Sequence, residues 1–181
     1  AVRAACSEET AALMLTNPNT VGVFEENITE LAEAVHDVGG LMYYDGANLN
    51  ALMGRVRPGD IGYDIMHYNV HKTFATPHGG GGPGAGPVGV KEELREFLPN
   101  PHVRETEEGD YEFYEPAQTI GKVHGHHGNW PVLLKSFAYI YRLGDEGLLD
   151  MGEKAILNAN YLASQIDFEI PYGPFFHEFV A

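Results

Sequence analysis

One stretch of the sequence, residues 67–90, constrains the fold more than any other. It places Lys72 between a short apolar run (residues 65–70) and a segment with seven glycines from Gly79 to Gly89. The apolar run predicts a buried strand, and the four successive glycines after His78 interrupt regular structure. Most lysines are simply surface residues. A lysine at a strand end beside a loop without side chains, however, is a place where a chain could hold a planar cofactor covalently.

The residues before Lys72 predict alternating strands and helices. Apolar runs at 11–15 and 41–44 predict two strands, and a helix between them should start after Glu25 and end at the Gly39-Gly40 pair. Two shorter elements complete the pattern, a small helix at 48–53 and a strand at 87–90. This order is typical of an α/β fold with a mostly parallel sheet flanked by helices.

Ligands of such sheets collect at the carboxyl ends of the strands. Asn17, Asp45 and Lys72 all lie at or just beyond predicted strand ends. We therefore expect the functional site at this edge of the sheet.

The second half of the chain predicts helices and one irregular region. A short helix is expected at 92–97, and an exposed, acidic, tyrosine-rich excursion at 105–115. Apolar residues at helical spacing then predict long helices at 129–143 and 145–165, which Gly144 interrupts. These helices are expected to supply core and interface contacts.

The net charge of −15, from 26 acidic and 11 basic residues, argues against binding to nucleic acid or to anionic membranes. No apolar run approaches the length of a membrane span. The single cysteine, Cys6, excludes an internal disulfide and favours a reducing compartment, so we expect a cytoplasmic protein. The acidic, lysine-poor composition is also compatible with adaptation to high salt.

Two motifs suggest binding functions that we reject. Residues 84–89 match the G-x-G-x-x-G pattern of dinucleotide-binding loops, but Pro87 interrupts it and a strand follows instead of a helix. The histidines at 124, 126 and 127 could suggest a metal site. Because adjacent histidines seldom bind one ion and cysteine ligands are lacking, we expect no metal.

Asp45 and Lys72 together suggest a specific cofactor. The Asp45-Gly46 pair is also a turn signal, so a solvated aspartate is the alternative. An aldehyde cofactor needs an amine for covalent attachment and an anion that keeps a pyridine nitrogen protonated. The pair, with the glycine-rich loop, therefore points to pyridoxal 5'-phosphate.

Four segments of the chain form a distinctive set: LTNPNT at 15–20, YDGAN at 44–48, HYNVHKTF at 67–74 and PHGGGGPG at 77–84. Together they resemble the P-protein of the glycine cleavage system, glycine dehydrogenase (decarboxylating), most closely the second subunit of its two-subunit form. The resemblance extends over essentially the whole chain and weakens at 100–118 and around 124–127.

The resemblance implies the fold of fold-type-I pyridoxal phosphate enzymes and assigns roles to individual residues. Lys72 would hold the cofactor covalently and Asp45 would pair with its ring nitrogen, so both are the candidate catalytic residues. The other residues that the resemblance places around the cofactor are Asn17, Ala47, Asn48, Asn69 and His71. His67 and His78, with the loop of Gly79, Gly80, Gly81 and Gly82, are candidates for substrate handling, and a structural role for the two histidines is equally open.

The family resemblance also implies the reaction and the partners. Glycine would be decarboxylated and its aminomethyl group transferred to the lipoyl arm of the H-protein, with a homologous first subunit completing a hetero-oligomer of two copies of each chain. We expect this chain to be a piece of a larger protein. Residues 1–174 would belong to the cofactor-binding large domain, and 175–181 would begin a small domain.

Three alternatives remain open from the sequence. The chain could belong to another fold-type-I enzyme, such as a cysteine desulfurase, which shares the His71-Lys72 pair, or an amino-acid decarboxylase. It could also be a non-catalytic scaffold subunit.

Overall fold

A computed structural model describes residues 1–123 and 128–181, which form two compact units. The first unit contains Ala1–Gly89 and Asn129–Ala181, and the second contains Val90–Gly128. The helices are α1 (Val2–Ala5), α2 (Ile28–His36), α3 (Val70–Thr73) and α4 (Trp130–Gln165), and the strands are β1 (Ala12–Thr16), β2 (Leu41–Gly46), β3 (Ile65–Tyr68), β4 (Val88–Val90), β5 (His102–Glu105) and β6 (Tyr111–Tyr114).

The predicted α/β fold with a mostly parallel sheet is confirmed. Strands β1 to β4 form one sheet in the order of the sequence, and β1 pairs with β2, and β2 with β3, in parallel. Helix α2 makes the crossover between β1 and β2. Because it buries Ile28, Ala32 and Val35, its apolar face belongs to the core beside the sheet.

The core of the first unit is built around two tyrosines. Tyr44 of β2 and Tyr63 are almost fully buried and meet edge to face, with ring centroids 4.9 Å apart. The Tyr44 hydroxyl donates to the carbonyl oxygen of Asn17 at 2.8 Å. This bond fixes the turn after β1 at the carboxyl edge of the sheet.

One strand prediction is wrong at its end. Strand β3 stops at Tyr68, and Val70 starts the single helical turn α3 instead of continuing the strand. Asn69 precedes this turn, and its carbonyl oxygen accepts the amide protons of Lys72 and Thr73 at 2.9 and 3.1 Å. Lys72 consequently lies on a helical turn just after the strand, not at the strand end itself.

Other predicted elements differ in detail or are confirmed. The small helix expected at 48–53 is a shorter 3₁₀ helix, Leu49–Ala51, and the region 105–115 forms most of an antiparallel hairpin of β5 and β6. Helix α4 is broken at Gly144, where φ is 62° and ψ is −173°, which confirms the predicted interruption. No helix in the described parts of the chain is both long and apolar enough to cross a bilayer.

Candidate active site

The sheet register places Asp45 between β1 and β3 at the carboxyl edge. Asp45 pairs with Thr16 on one side and with His67 on the other. Its Oδ1 atom accepts the amide proton of Ala47 at 2.9 Å and lies 3.6 Å from Nε2 of His67. Among the described residues, both polar contacts of this carboxylate fall on Oδ1, and about a quarter of the side chain is exposed (26%). The other oxygen, Oδ2, therefore remains available to a cationic ligand.

His67 is held at both ring nitrogens. Its Nδ1 atom lies 2.9 Å from the Tyr43 hydroxyl, and its Nε2 atom lies 2.8 Å from the side-chain amide nitrogen, Nδ2, of Asn69. Burial, and secondarily the charge of Asp45, raise the pKa of Tyr43, so this phenol stays protonated at neutral pH. The predicted site residues His67, Asn69 and Asp45 are thus brought together by direct contacts.

Lys72 joins this group through the backbone of Asn69. The Lys72 amide donates to the Asn69 carbonyl oxygen, so the same residue that contacts His67 also sets the turn that carries the lysine. The Lys72 side chain is exposed. A solvent-accessible amine on a fixed turn is what covalent capture of an aldehyde requires.

His71 presents a buried nitrogen without a partner. No described residue forms a hydrogen bond with its Nδ1 atom, which is inaccessible to solvent. Burial, together with the nearby His78 and Lys72, lowers the pKa of His71. An unsatisfied buried nitrogen next to Lys72 suits an acceptor group of a ligand, such as a phosphate oxygen.

The glycine-rich loop forms an exposed 3₁₀ turn, Gly79–Gly81. His78 caps the turn, because its Nδ1 atom accepts the Gly81 amide proton at 3.2 Å. At Gly79, φ is 59° and an added Cβ would lie 2.2 Å from Cδ of Pro83, so the turn requires glycine there. Gly82 follows with a negative φ of −80°.

The side chains of Asn17 and Asn48 are buried and form hydrogen bonds with the backbone. The Asn17 side chain is fully buried and exchanges two hydrogen bonds with the backbone of Glu25, at 2.8 and 3.4 Å. The Asn48 amide donates to the carbonyl oxygens of Pro18 and Asn19 at 2.9 and 3.0 Å. The structure therefore places both side chains in the turn after β1, which they stabilise, rather than in accessible space beside Asp45.

Sequence reasoning missed His177, which the structure places in this region. Its segment is docked onto the turn after β1, since the Phe176 amide donates to the Gly22 carbonyl oxygen at 2.8 Å and Phe176 stacks on Phe24. The His177 side chain is 7% exposed and its Nδ1 atom has no hydrogen-bond partner among the described residues. Burial lowers the pKa of His177; Glu178 opposes this shift, and Lys72 adds to it. No local pattern around residue 177 could have indicated this position.

Three further residues between Lys72 and the glycine loop carry unusual features. The hydroxyl oxygens of Thr73 and Thr76 are buried without a hydrogen-bond partner in the described structure. Ala75 has a positive φ of 56°. Strain and unsatisfied polar atoms together are typical of ligand sites.

No group of three metal-ligating side chains comes together within residues 1–123 and 128–181. The histidine cluster considered above, at 124, 126 and 127, lies outside the described residues.

Comparison with solved structures identifies the class of fold. The chain is similar to a cysteine desulfurase from Thermococcus onnurineus, with a TM-score of 0.56 and 22% identity over 90% of this chain and 40% of that one. It is also similar to a sphingosine-1-phosphate lyase from Burkholderia pseudomallei, with a TM-score of 0.62 and 18% identity over 96% of this chain and 40% of that one. The chain thus has the fold-type-I architecture that the sequence predicted.

Curated relatives identify the family. Over all of this chain and 38% of the relative, it is 72% identical to the probable glycine dehydrogenase (decarboxylating) subunit 2 of Halobacterium salinarum. Identity to the corresponding proteins of Thermotoga petrophila and Pyrococcus horikoshii is 59% and 57%, over 96% and 95% of this chain and 37% and 36% of those relatives. No family model matches the chain. The predicted resemblance to the P-protein family, in its subunit 2 form, is confirmed, and the chain spans well under half the length of these relatives.

Proposed function

We propose that this chain supplies the lysine and aspartate side of a pyridoxal 5'-phosphate site in a glycine dehydrogenase (decarboxylating). One structural observation carries the proposal. Asp45 lies against His67, His67 contacts Asn69, and the carbonyl oxygen of Asn69 sets the turn of Lys72. An anion and an amine, the two groups that the cofactor needs, are thereby linked at one edge of a parallel sheet.

The described residues fit this cofactor. Asp45 has an oxygen, Oδ2, that no described residue contacts and that could pair with a protonated ring nitrogen, and Lys72 is exposed. His71 has a buried nitrogen that lacks a partner and suits a phosphate oxygen. Ala47 is small and partly exposed just after Asp45, where a planar ring could pack. Asn17 and Asn48 would contribute indirectly, by fixing the adjoining turn.

When bound, pyridoxal phosphate withdraws electrons from the α-carbon of an amino acid and so promotes the loss of its carboxylate. Around it, Asp45 would keep positive charge on the ring nitrogen and Lys72 would accept and return a proton. The turn Gly79–Gly81 would close over the site and exclude water, since its glycines permit large backbone changes. His78, which caps this turn, would move with it.

The relatives' names and the P-protein resemblance support a proposal for the substrate and partners. We propose glycine as the substrate and the lipoyl arm of an H-protein as the acceptor of the aminomethyl group. A homologous first subunit would complete a hetero-oligomer, with two copies of each chain, in the cytoplasm. Residues 1–174 would belong to the large domain, and 175–181 would begin the small one.

Borohydride trapping in the full-length protein tests the cofactor proposal. The protein is loaded with pyridoxal phosphate, reduced and digested, and the labelled peptide is identified by mass spectrometry. We expect the label on Lys72, and a Lys72→Arg variant should take none. Label on another lysine only, or none at all, would overturn the proposal and favour a scaffold subunit.

Substrate identity is tested separately with the co-expressed subunits. Carboxyl-labelled glycine should release labelled carbon dioxide only when lipoylated H-protein is present, and Lys72→Arg should abolish the release. Sulfide release from cysteine without glycine turnover would instead support the desulfurase alternative.

A further inference from the structure

The proposed reaction gives no role to the contacts that His67 makes with its neighbours. We propose that His67 is a positioning residue for Asp45, which directs the free oxygen of this carboxylate toward the ring nitrogen of the bound cofactor. This inference rests on the proposed function, because it concerns the same site.

The first argument is the position of His67 next to Asp45 in the sheet. The two residues are direct neighbours on adjacent parallel strands, and Nε2 of His67 lies 3.6 Å from Oδ1 of Asp45. Tyr43 lies two residues before Asp45 on β2, so its side chain projects from the same face as that of Asp45. The register thus places a phenol, an imidazole and a carboxylate on one patch of the sheet.

The second argument is that the imidazole ring cannot rotate freely. Tyr43 contacts Nδ1 at 2.9 Å and Asn69 contacts Nε2 at 2.8 Å, on opposite sides of the ring. The ring is held at both nitrogens although the side chain is 24% exposed. These two contacts fix the distance between Nε2 and the carboxylate.

The third argument concerns the Asp45 carboxylate itself. Its two polar contacts within the described part of the chain, with the Ala47 amide and with His67, both involve Oδ1. A quarter-exposed carboxylate held only by one backbone amide could rotate about its terminal torsion, which is soft. His67 removes this freedom from one side and leaves Oδ2 facing the ligand.

One tautomer of His67, with the proton on Nε2, suits this role. Attraction to Asp45 requires a proton on Nε2, and then Nδ1 accepts a hydrogen bond from the protonated Tyr43 hydroxyl. Asn69 can match this tautomer by a half-turn of its amide, which presents its oxygen to Nε2. The Nε2 proton then lies between the Asn69 oxygen and the Asp45 carboxylate, whose Oδ1 atom is 3.6 Å away.

Two substitutions separate this role from a purely structural one. His67→Gln keeps a polar group near the position of Nε2, on the Asp45 side, whereas His67→Asn keeps one near Nδ1, on the Tyr43 side. Positioning of Asp45 predicts that glutamine preserves function and asparagine does not. A structural role through Tyr43 predicts the opposite order.

The measurement is cofactor affinity in the full-length protein, with two probes. One probe is pyridoxal phosphate, and the other is its analogue in which a carbon replaces the ring nitrogen. We expect His67→Asn to weaken binding of pyridoxal phosphate about 10-fold, the scale of one lost charge-assisted contact. His67→Gln should change it less than about twofold, and neither variant should affect the analogue.

The outcomes distinguish a failure of the proposed function from a failure of the positioning role alone. If the unmodified protein does not bind pyridoxal phosphate, the proposed function fails. If it binds but His67→Asn and His67→Gln have equal affinity for pyridoxal phosphate, the positioning role is wrong. The role is also wrong if His67→Asn weakens the binding of both probes alike. Should His67→Asn not fold, Tyr43→Phe replaces it and must weaken only pyridoxal phosphate. In an Asp45→Asn background, the difference between the two His67 variants should disappear.

Discussion

The rings of His71 and His78 meet edge to face, with centroids 4.6 Å apart and an interplanar angle of 77°. This contact joins the turn that carries Lys72 to the cap of the glycine loop. A movement of the loop would therefore displace His71, the residue next to Lys72. It also creates an environment in which a positive charge on His71 is unfavourable.

The first prediction is a loss of stability in mild acid. Burial is the main cause that lowers the pKa values of both His71 and His177 below the ordinary value of 6.5. The folded state therefore binds these protons less readily than the unfolded chain. The contribution of each histidine to stability is complete above about pH 6.5 and is lost as the pH falls through the lowered pKa.

Urea unfolding of the full-length protein at about pH 7.5 and about pH 5.5 measures this effect. The double variant His71→Gln/His177→Gln should lose less stability on acidification than the parent protein. Equal losses in both proteins would contradict the assignment of the acid sensitivity to these two residues.

The second prediction concerns Asp45. Asp45→Asn should leave the cofactor bound but lower glycine decarboxylation at least ~100-fold, because asparagine cannot hold positive charge on the ring nitrogen. The matched control is Asp60→Asn, which removes an exposed carboxylate paired with Arg57 and should leave turnover unchanged. Near-normal turnover of Asp45→Asn would show that Asp45 does not stabilise the reaction.

Strands β1 and β2 could be predicted because local sequence determines them. Apolar runs at 11–15 and 41–44 gave most of β1 and β2, and the glycine pair after α2 gave its approximate end. Strand β2 continues through Asp45 and Gly46, the pair that the sequence suggested as a turn. The end of β3 could not be predicted in this way. Val70 favours a strand, but the carbonyl oxygen of Asn69 accepts two amide protons and starts a helical turn instead.

The candidate site could be predicted only where its residues share a motif. Lys72, His71, Asp45 and His67 are candidates from motifs and strand ends, but the contact between His67 and Asp45 depends on the register between β2 and β3. The docking of His177 depends on a contact between residues 22 and 176, which are far apart in sequence. Contacts of this kind come from tertiary packing and leave no local periodicity.

A third prediction tests the close approach of β2 and β3 that brings Asp45 to His67. A Cβ atom at Gly46 would lie 1.8 Å from the carbonyl oxygen of His67, so the strands would have to separate. Gly46→Ala should lower the free energy of unfolding by about 2 kcal/mol or more. Gly59→Ala is the control, because its added Cβ meets nothing within 4 Å at an ordinary φ. Similar stabilities for the two variants would refute the steric argument.

A fourth prediction follows from the net charge of −15. Repulsion among the acidic residues weakens the folded state at low ionic strength, and salt screens it. The melting temperature of the full-length protein should therefore rise from low salt to molar KCl. A constant or falling melting temperature would exclude adaptation to high salt.

The last prediction concerns the docked segment that carries His177. At Gly22, where φ is 82°, an added Cβ would lie 1.8 Å from the carbonyl oxygen of Glu178. Gly39 has nearly the same φ, 83°, but a Cβ there meets nothing within 4 Å. The two alanine variants therefore share the backbone strain, and only Gly22→Ala adds a collision with the segment.

Gly39→Ala should cost about 1 kcal/mol through the unfavourable φ, and Gly22→Ala about 2 kcal/mol more. Hydrogen exchange separates the local effect from the global one. The Phe176 amide, which donates to the Gly22 carbonyl oxygen, should exchange faster in Gly22→Ala than in Gly39→Ala after correction for their stabilities. If the Phe176 amide is equally protected in both variants, the segment is not held by this contact, and His177 owes its buried position to other interactions.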